Sequence, residues 1–90
     1  MTNLERVENM YSLIISLVCT KKLVTVKTRY FSVDFSIIDE VYHMRTGKVT
    51  AESESLYQLF ALVKNIIERT SLCDDIEIFL DSKVFAVIKD

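Results

Sequence analysis

The sequence predicts an α+β domain, an antiparallel sheet of four to six strands with two amphipathic helices on one face, in the order αβββ(β)αββ. Three observations carry that reading. Apolar residues recur at helical spacing in two segments, about 3–19 and 53–70. Between and after these segments the period changes to two, as in half-buried strands. With one glycine and no proline in 90 residues, the turns must be tight, which excludes a loop-rich fold or a flexible linker between modules. A chain of this length supports one core, so residues 1–90 are expected to form a single compact domain.

The first helix places Leu4, Val7, Tyr11, Ile14 and Val18 on one stripe, with Thr2 or Asn3 to cap it and Glu5 in its first turn. Met10, Leu13, Ile15 and Leu17 widen the apolar arc of its second half, which therefore needs cover from the sheet or from a second chain. These four residues are the expected face of a homodimer, or an apolar patch for a partner.

From Leu23 onward Val24, Val26, Thr28 and Tyr30 share one parity, whereas Phe31, Val33, Phe35 and Ile37 share the other. A slip of one residue flips the buried side, so two strands, about 22–29 and 32–39, are expected to meet at Tyr30-Phe31. Two readings compete for residues 40–52. Val41-Tyr42-His43-Met44 and Val49-Thr50-Ala51 form a hairpin turning at Thr46-Gly47, or Ser36 and Asp39 cap a short helix that stops at Gly47. The β-rich content of 32–42 favours the hairpin.

The second helix buries Leu56, Leu59, Phe60, Val63, Ile66 and Ile67, with Glu52 and Glu54 at its positive end and Arg69 at the other. Residues 76–80 and 84–88 then form a hairpin that turns at Asp81-Ser82.

Eleven Lys and Arg against thirteen Asp and Glu give a net charge of -2, which excludes a strongly basic nucleic-acid binder as the default. The most apolar stretch, Met10 to Cys19, is far shorter than the ~20 residues of a membrane span. No positive cap precedes it and no cleavage site follows it, so neither a signal peptide nor a membrane span is expected, and the expected location is the cytoplasm. Cys19 and Cys73 lack a CxxC partner and are expected to be buried thiols, with no metal site and no cofactor.

Few residues invite chemistry. His43 is the sole histidine, and no nucleophile motif surrounds it. Thr46-Gly47-Lys48 lacks the first glycine of a phosphate loop and reads as a turn. Lys21, Lys22, Lys27 and Arg29, next to Tyr30 and Phe31, form a basic patch suited to a single nucleic-acid strand. Asp74, Asp75, Glu77 and Asp81, together with Glu52 and Glu54, form the expected acidic surface for a protein partner with a basic groove.

Three resemblances bear on function. Ala51-Glu52 and Leu80-Asp81-Ser82 look like the second and third acidic positions of the ribonuclease H family, with Asp34 standing for the first. That resemblance implies a metal-dependent nuclease holding Mg²⁺ on Asp34, Glu52 and Asp81, although the Asp-Gly of the family's first acid is missing. The helix-strand-strand-strand-helix order resembles double-stranded-RNA-binding domains, whose second helix opens on basic residues where this chain has Glu52 and Glu54. In size, acidic balance and lack of a catalytic constellation the chain resembles the small inhibitors of phages and mobile elements, anti-CRISPR proteins among them, a likeness of type carried by no motif. The expectation is a non-enzymatic inhibitor that binds a host nucleic-acid-handling enzyme. The alternatives are the nuclease and the single-strand binder.

Overall fold

The computed structural model describes residues 2–90. Among them the order is α1 (Asn3–Val18), β1 (Val24–Thr28), β2 (Phe31–Ile38), β3 (Val41–Thr46), β4 (Val49–Ser53), α2 (Leu56–Thr70), β5 (Ile76–Leu80) and β6 (Lys83–Ile88). The strands form one antiparallel sheet in the order β4-β3-β2-β1-β5-β6. This is the expected α+β architecture.

Strand alternation sends Val24, Val26, Val33, Phe35, Met44, Ile76 and Ile78 to one face, where both helices cover them. The helices supply Val7, Met10, Ile14 and Val18 from α1 and Leu56, Leu59, Phe60, Val63 and Ile67 from α2. Tyr11 stacks on Phe60 at 4.5 Å between ring centroids and meets Tyr57 edge-on at 6.1 Å, which joins the two helices. Among the described residues no helix packs on the other face of the sheet.

Local chemistry sets the boundaries. Thr2 caps α1 through a capping box, its hydroxyl accepting from the Glu5 amide while the Glu5 carboxylate accepts from the Thr2 amide. The parity slip at Tyr30-Phe31 is a hairpin, with Thr28 opposite Phe31 and Arg29-Tyr30 as its turn. Residues 41–53 form the β3–β4 hairpin, which turns at Gly47-Lys48 with Gly47 at φ 56°. The short helix capped by Ser36 is therefore not formed.

Two hairpin turns use left-handed backbone without glycine, Asp39-Glu40 (φ 51° and 65°) and Asp81-Ser82 (φ 48° and 69°). Positive φ at both central residues is the type I′ pattern that suits a twisted two-residue hairpin.

Several expectations are corrected. Glu52 lies on β4 and Glu54 follows it, so neither sits in the first turn of α2. Ser55 is the cap, because its hydroxyl accepts from the Gln58 amide while Ser53 remains paired with Tyr42 in the sheet. Met10 and Leu17 are core residues, and Leu13 packs against the core. Only Ile15, 40% exposed, remains of the four-residue dimer face, because the sheet and α2 cover the widened arc. Cys19 and Cys73 are exposed rather than buried. Leu4, expected on the buried stripe, is exposed, while Arg6, two residues on and nearly on the opposite side of the helix, is 3% exposed. No described helix is long and apolar enough to cross a membrane.

Candidate functional site

The uncovered sheet face holds the side chains that alternate with the core. Cross-strand rows set Thr50, Arg45, Asp34 and Thr25 side by side, and beside them Glu52, His43 and Ser36. Asp34 accepts a 2.6 Å hydrogen bond from the Thr25 hydroxyl, and His43 Nδ1 lies 3.6 Å from Glu52 Oε2. A shallow groove of about 590 Å³ runs over these rows except at Thr25, with Leu23, Ile38, Met44 and Ala51 as its apolar lining.

Asp34, Glu52 and Asp81 do not converge. Asp34 on β2 and Glu52 on β4 have β3 between them, a separation of ~10 Å at ordinary strand spacing. Asp81 lies in the β5–β6 turn, where its carboxylate accepts from the Leu23 amide at 3.0 Å. Among the described residues no three His, Cys, Asp or Glu are grouped to hold a metal ion. The placement expected from the ribonuclease H resemblance is therefore not formed.

The six carboxylates expected to make one acidic surface separate into distant sets. Asp74 and Asp75 precede β5 and Asp81 follows it, so the five-residue strand holds them ~20 Å apart. Glu77 sits opposite Lys27 on β1. Each aspartate already serves its own chain. Asp74 accepts from the Arg29 amide at 2.6 Å, Asp81 accepts from Leu23, and Asp75 accepts from the Asp90 amide at 2.8 Å with Lys89 at 3.6 Å. The Asp90 N–H holds the Asp75 carboxyl below its usual range, helped by Lys89 and Arg6 and opposed by slight desolvation.

Glu52 and Glu54 lie at the opposite edge of the sheet from β5 and β6. There the topology gives them other neighbours. Ile38 and Val41 close the β2–β3 hairpin around Asp39-Glu40, and Tyr42 pairs with Ser53. Glu54 follows Ser53 in a bend just past the end of β4, at the end of the sheet where β3 leaves that turn. Asp39, Glu40 and Glu54, all exposed, thus lie at the same end of the β2–β3–β4 edge as Ile38, which is 57% exposed, and exposed Glu52 lies one register pair further in, with β3 between it and Ile38. Asp39 and Glu40 were missed because their membership depends on strand pairing. The signal for them was an acidic dipeptide between two β patterns.

The basic set is likewise divided. Lys21 and Lys22 precede β1, whereas Arg29 follows it in the turn, with its guanidinium 5.5 Å from the Tyr30 ring centroid. Lys27 points to the open face between Ser32 and Glu77. Phe31 packs against the core and does not join Tyr30 in a stacking platform.

The fold and these surfaces define a small α+β domain with one helix-covered and one open sheet face. Compared with known proteins, the chain matches no family model, no curated protein and no solved structure.

Proposed function

We propose that this chain is a non-enzymatic protein-binding domain, an inhibitor of the anti-defence type that occupies the basic groove of a host nucleic-acid-handling enzyme. The observation that supports this reading is the acidic end of the β2–β3–β4 edge, where exposed Asp39, Glu40, Glu52 and Glu54 share one region of the sheet with the exposed apolar Ile38. Clustered carboxylates steer a basic partner over a screening length of ~8 Å at physiological salt. An apolar residue beside these charges supplies the desolvated contact that prolongs binding. The docking face moves from Asp74, Asp75, Glu77 and Asp81 to this end of the sheet, because the aspartates among those four are tied to their own backbone.

The test is affinity capture from lysate of the native host with three immobilised forms: wild type, Glu52→Lys with Glu54→Lys, and Asp74→Lys with Asp75→Lys. A nucleic-acid-handling enzyme retained by the first and third forms and lost by the second, and whose nucleic-acid binding the wild-type chain blocks, is the expected result. Equal capture by all three forms, or capture lost only in the third, removes the acidic end of the sheet from the proposal.

A further inference from the structure

The hairpin between β5 and β6 contains a mismatch. From its open end Ile76 pairs with Ile88, Glu77 with Val87 and Ile78 with Ala86, each step forward on β5 matched by one step back on β6. Between Ile78 and Phe79 the register shifts, after which Phe79 pairs with Val84 and Leu80 with Lys83, leaving Phe85 as the extra residue of a bulge. The shift is what lets the two-residue turn Asp81-Ser82 close, with both residues in left-handed backbone that glycine adopts freely, aspartate tolerates and serine adopts only with strain.

Continued without the shift, the outer register would pair Phe79 with Phe85, Leu80 with Val84, Asp81 with Lys83, and Ser82 with Ser82. One chain cannot make that ladder, but two chains related by a two-fold axis through Ser82 can. We propose that β6 is exchanged between two copies of this chain, with residues 76–88 running straight as one strand and each β6 completing the sheet of the other copy.

Four observations favour a second copy as the occupant. The straight strand has no bulge and no left-handed residues. It sets Asp81 opposite Lys83 of the other copy, twice, as opposite-charge cross-strand pairs. Phe85, 51% exposed and unpaired in the closed hairpin, gains Phe79 as a cross-strand neighbour, while Val84 exchanges Phe79 for Leu80. The remaining contacts of β6, including the bond from Arg6 to the Ile88 carbonyl, are reproduced by the other copy because the sequence is the same. Release of β6 is favoured further because none of its residues is fully buried.

The β2–β3 hairpin is the internal control. Its turn, Asp39-Glu40, has the same left-handed backbone, but its register is continuous from Asp34–Arg45 to Ile38–Val41. Opened straight, that register would set residue 39 against residue 40 with side chains on opposite faces, which a two-fold ladder cannot accommodate. Backbone strain is common to both turns, and only the β5–β6 register suits exchange.

The experiment uses the full chain with Glu77→Cys and Val87→Cys in a Cys19→Ser, Cys73→Ser background. It is held concentrated just below its thermal transition, cooled, oxidised, and examined by non-reducing electrophoresis and light scattering. Exchange predicts covalent dimers linked between copies, with the intrachain bridge confined to the monomer fraction. Ser82→Gly, which relaxes the closed turn of both monomers that a dimer would be made from and has no such turn to relax in the dimer, should lower the dimerisation constant by about tenfold or more. Lys83→Glu sets like charges across the two-fold axis and should lower it several-fold, without loss of monomer stability. A wild type that remains monomeric throughout, a dimer whose cysteines bridge only within each chain, or a dimer indifferent to both Ser82→Gly and Lys83→Glu would each overturn the proposal.

Discussion

Arg6 Nη1 donates a 2.8 Å hydrogen bond to the carbonyl oxygen of Ser71, which fastens the first turn of α1 to the chain leaving α2. The same guanidinium reaches the carbonyls of Asp74 at 2.7 Å and Ile88 at 3.1 Å, and it lies 3.7 Å from the Asp90 carboxylate. Asn3 orients it by accepting from Nη1 at 2.8 Å. One buried cation thus satisfies carbonyls from the α2–β5 connection and from the end of β6.

Replacing Arg6 by alanine removes the charged donor from the part-buried carbonyls of Asp74 and Ile88 and leaves the buried Ser71 carbonyl with the longer 3.3 Å bond from the Asp74 amide alone. The expected loss is about 3 kcal/mol, since bonds to charged groups are worth roughly twice neutral ones and each orphaned carbonyl adds a desolvation cost. Urea unfolding of Arg6→Ala against wild type measures it. A change under about 1 kcal/mol would mean that water replaces the guanidinium without penalty.

Lys21 follows α1 with φ 64°, in the conformation that ends many helices on glycine. Its side chain is exposed, so Lys21→Gly removes strain and little packing. Stabilisation of about 0.5–1 kcal/mol is expected, a rise of a few degrees in Tm for a domain of this size. A lower Tm by calorimetry would show that glycine's greater unfolded-state freedom outweighs the strain.

How much of this was legible in the sequence follows from the range of each signal. Helical spacing and strand parity are local, so both helices, the slip at Tyr30-Phe31 and the turn at Asp81-Ser82 could be placed from neighbouring residues alone. The position of β1 between β2 and β5 is not local, and the grouping of the carboxylates depends on it. Glu52 and Glu54 looked like helix-start acids because two acids before an apolar helix fit that role. The pairing of Ser53 with Tyr42 assigns Glu52 to a strand instead. Nothing in the neighbouring sequence marks Arg6 for burial, since charged side chains are almost never fully buried unless paired. Its burial depends on carbonyls that lie more than sixty positions away in sequence.

Tyr11 links stability to alkaline pH. Burial against Phe60 raises its pKa above 10.0, with smaller contributions from Tyr57 and Tyr42. A raised folded-state value contributes stability that is complete below the unfolded pKa and is lost as pH rises through the folded one. Wild type should therefore lose stability above about pH 10 more steeply than Tyr11→Phe, which keeps the stacked ring and has no proton to lose. Thermal melts across that range compare the two, and parallel curves would show that the Tyr11 hydroxyl stays hydrated in the folded state.

Asp75 gives the opposite dependence at acid pH. The Asp90 amide donates to its carboxylate and Lys89 lies 3.6 Å away, so its pKa falls below the ordinary 3.8. A lowered folded-state value contributes stability that is present above the unfolded pKa and lost as pH falls through the folded one. Asp75→Asn keeps the shape and removes this titration. The stability of wild type relative to Asp75→Asn should be positive and flat at neutral pH, begin to shrink near pH 4, and level off once pH is below the folded pKa. The difference should be small throughout, because the carboxylate is solvated and salt screens Lys89. Urea midpoints at closely spaced pH values read it directly. A difference that grows as pH falls would reverse the sign of the linkage and show that the Asp90 bond does not favour the charged carboxylate.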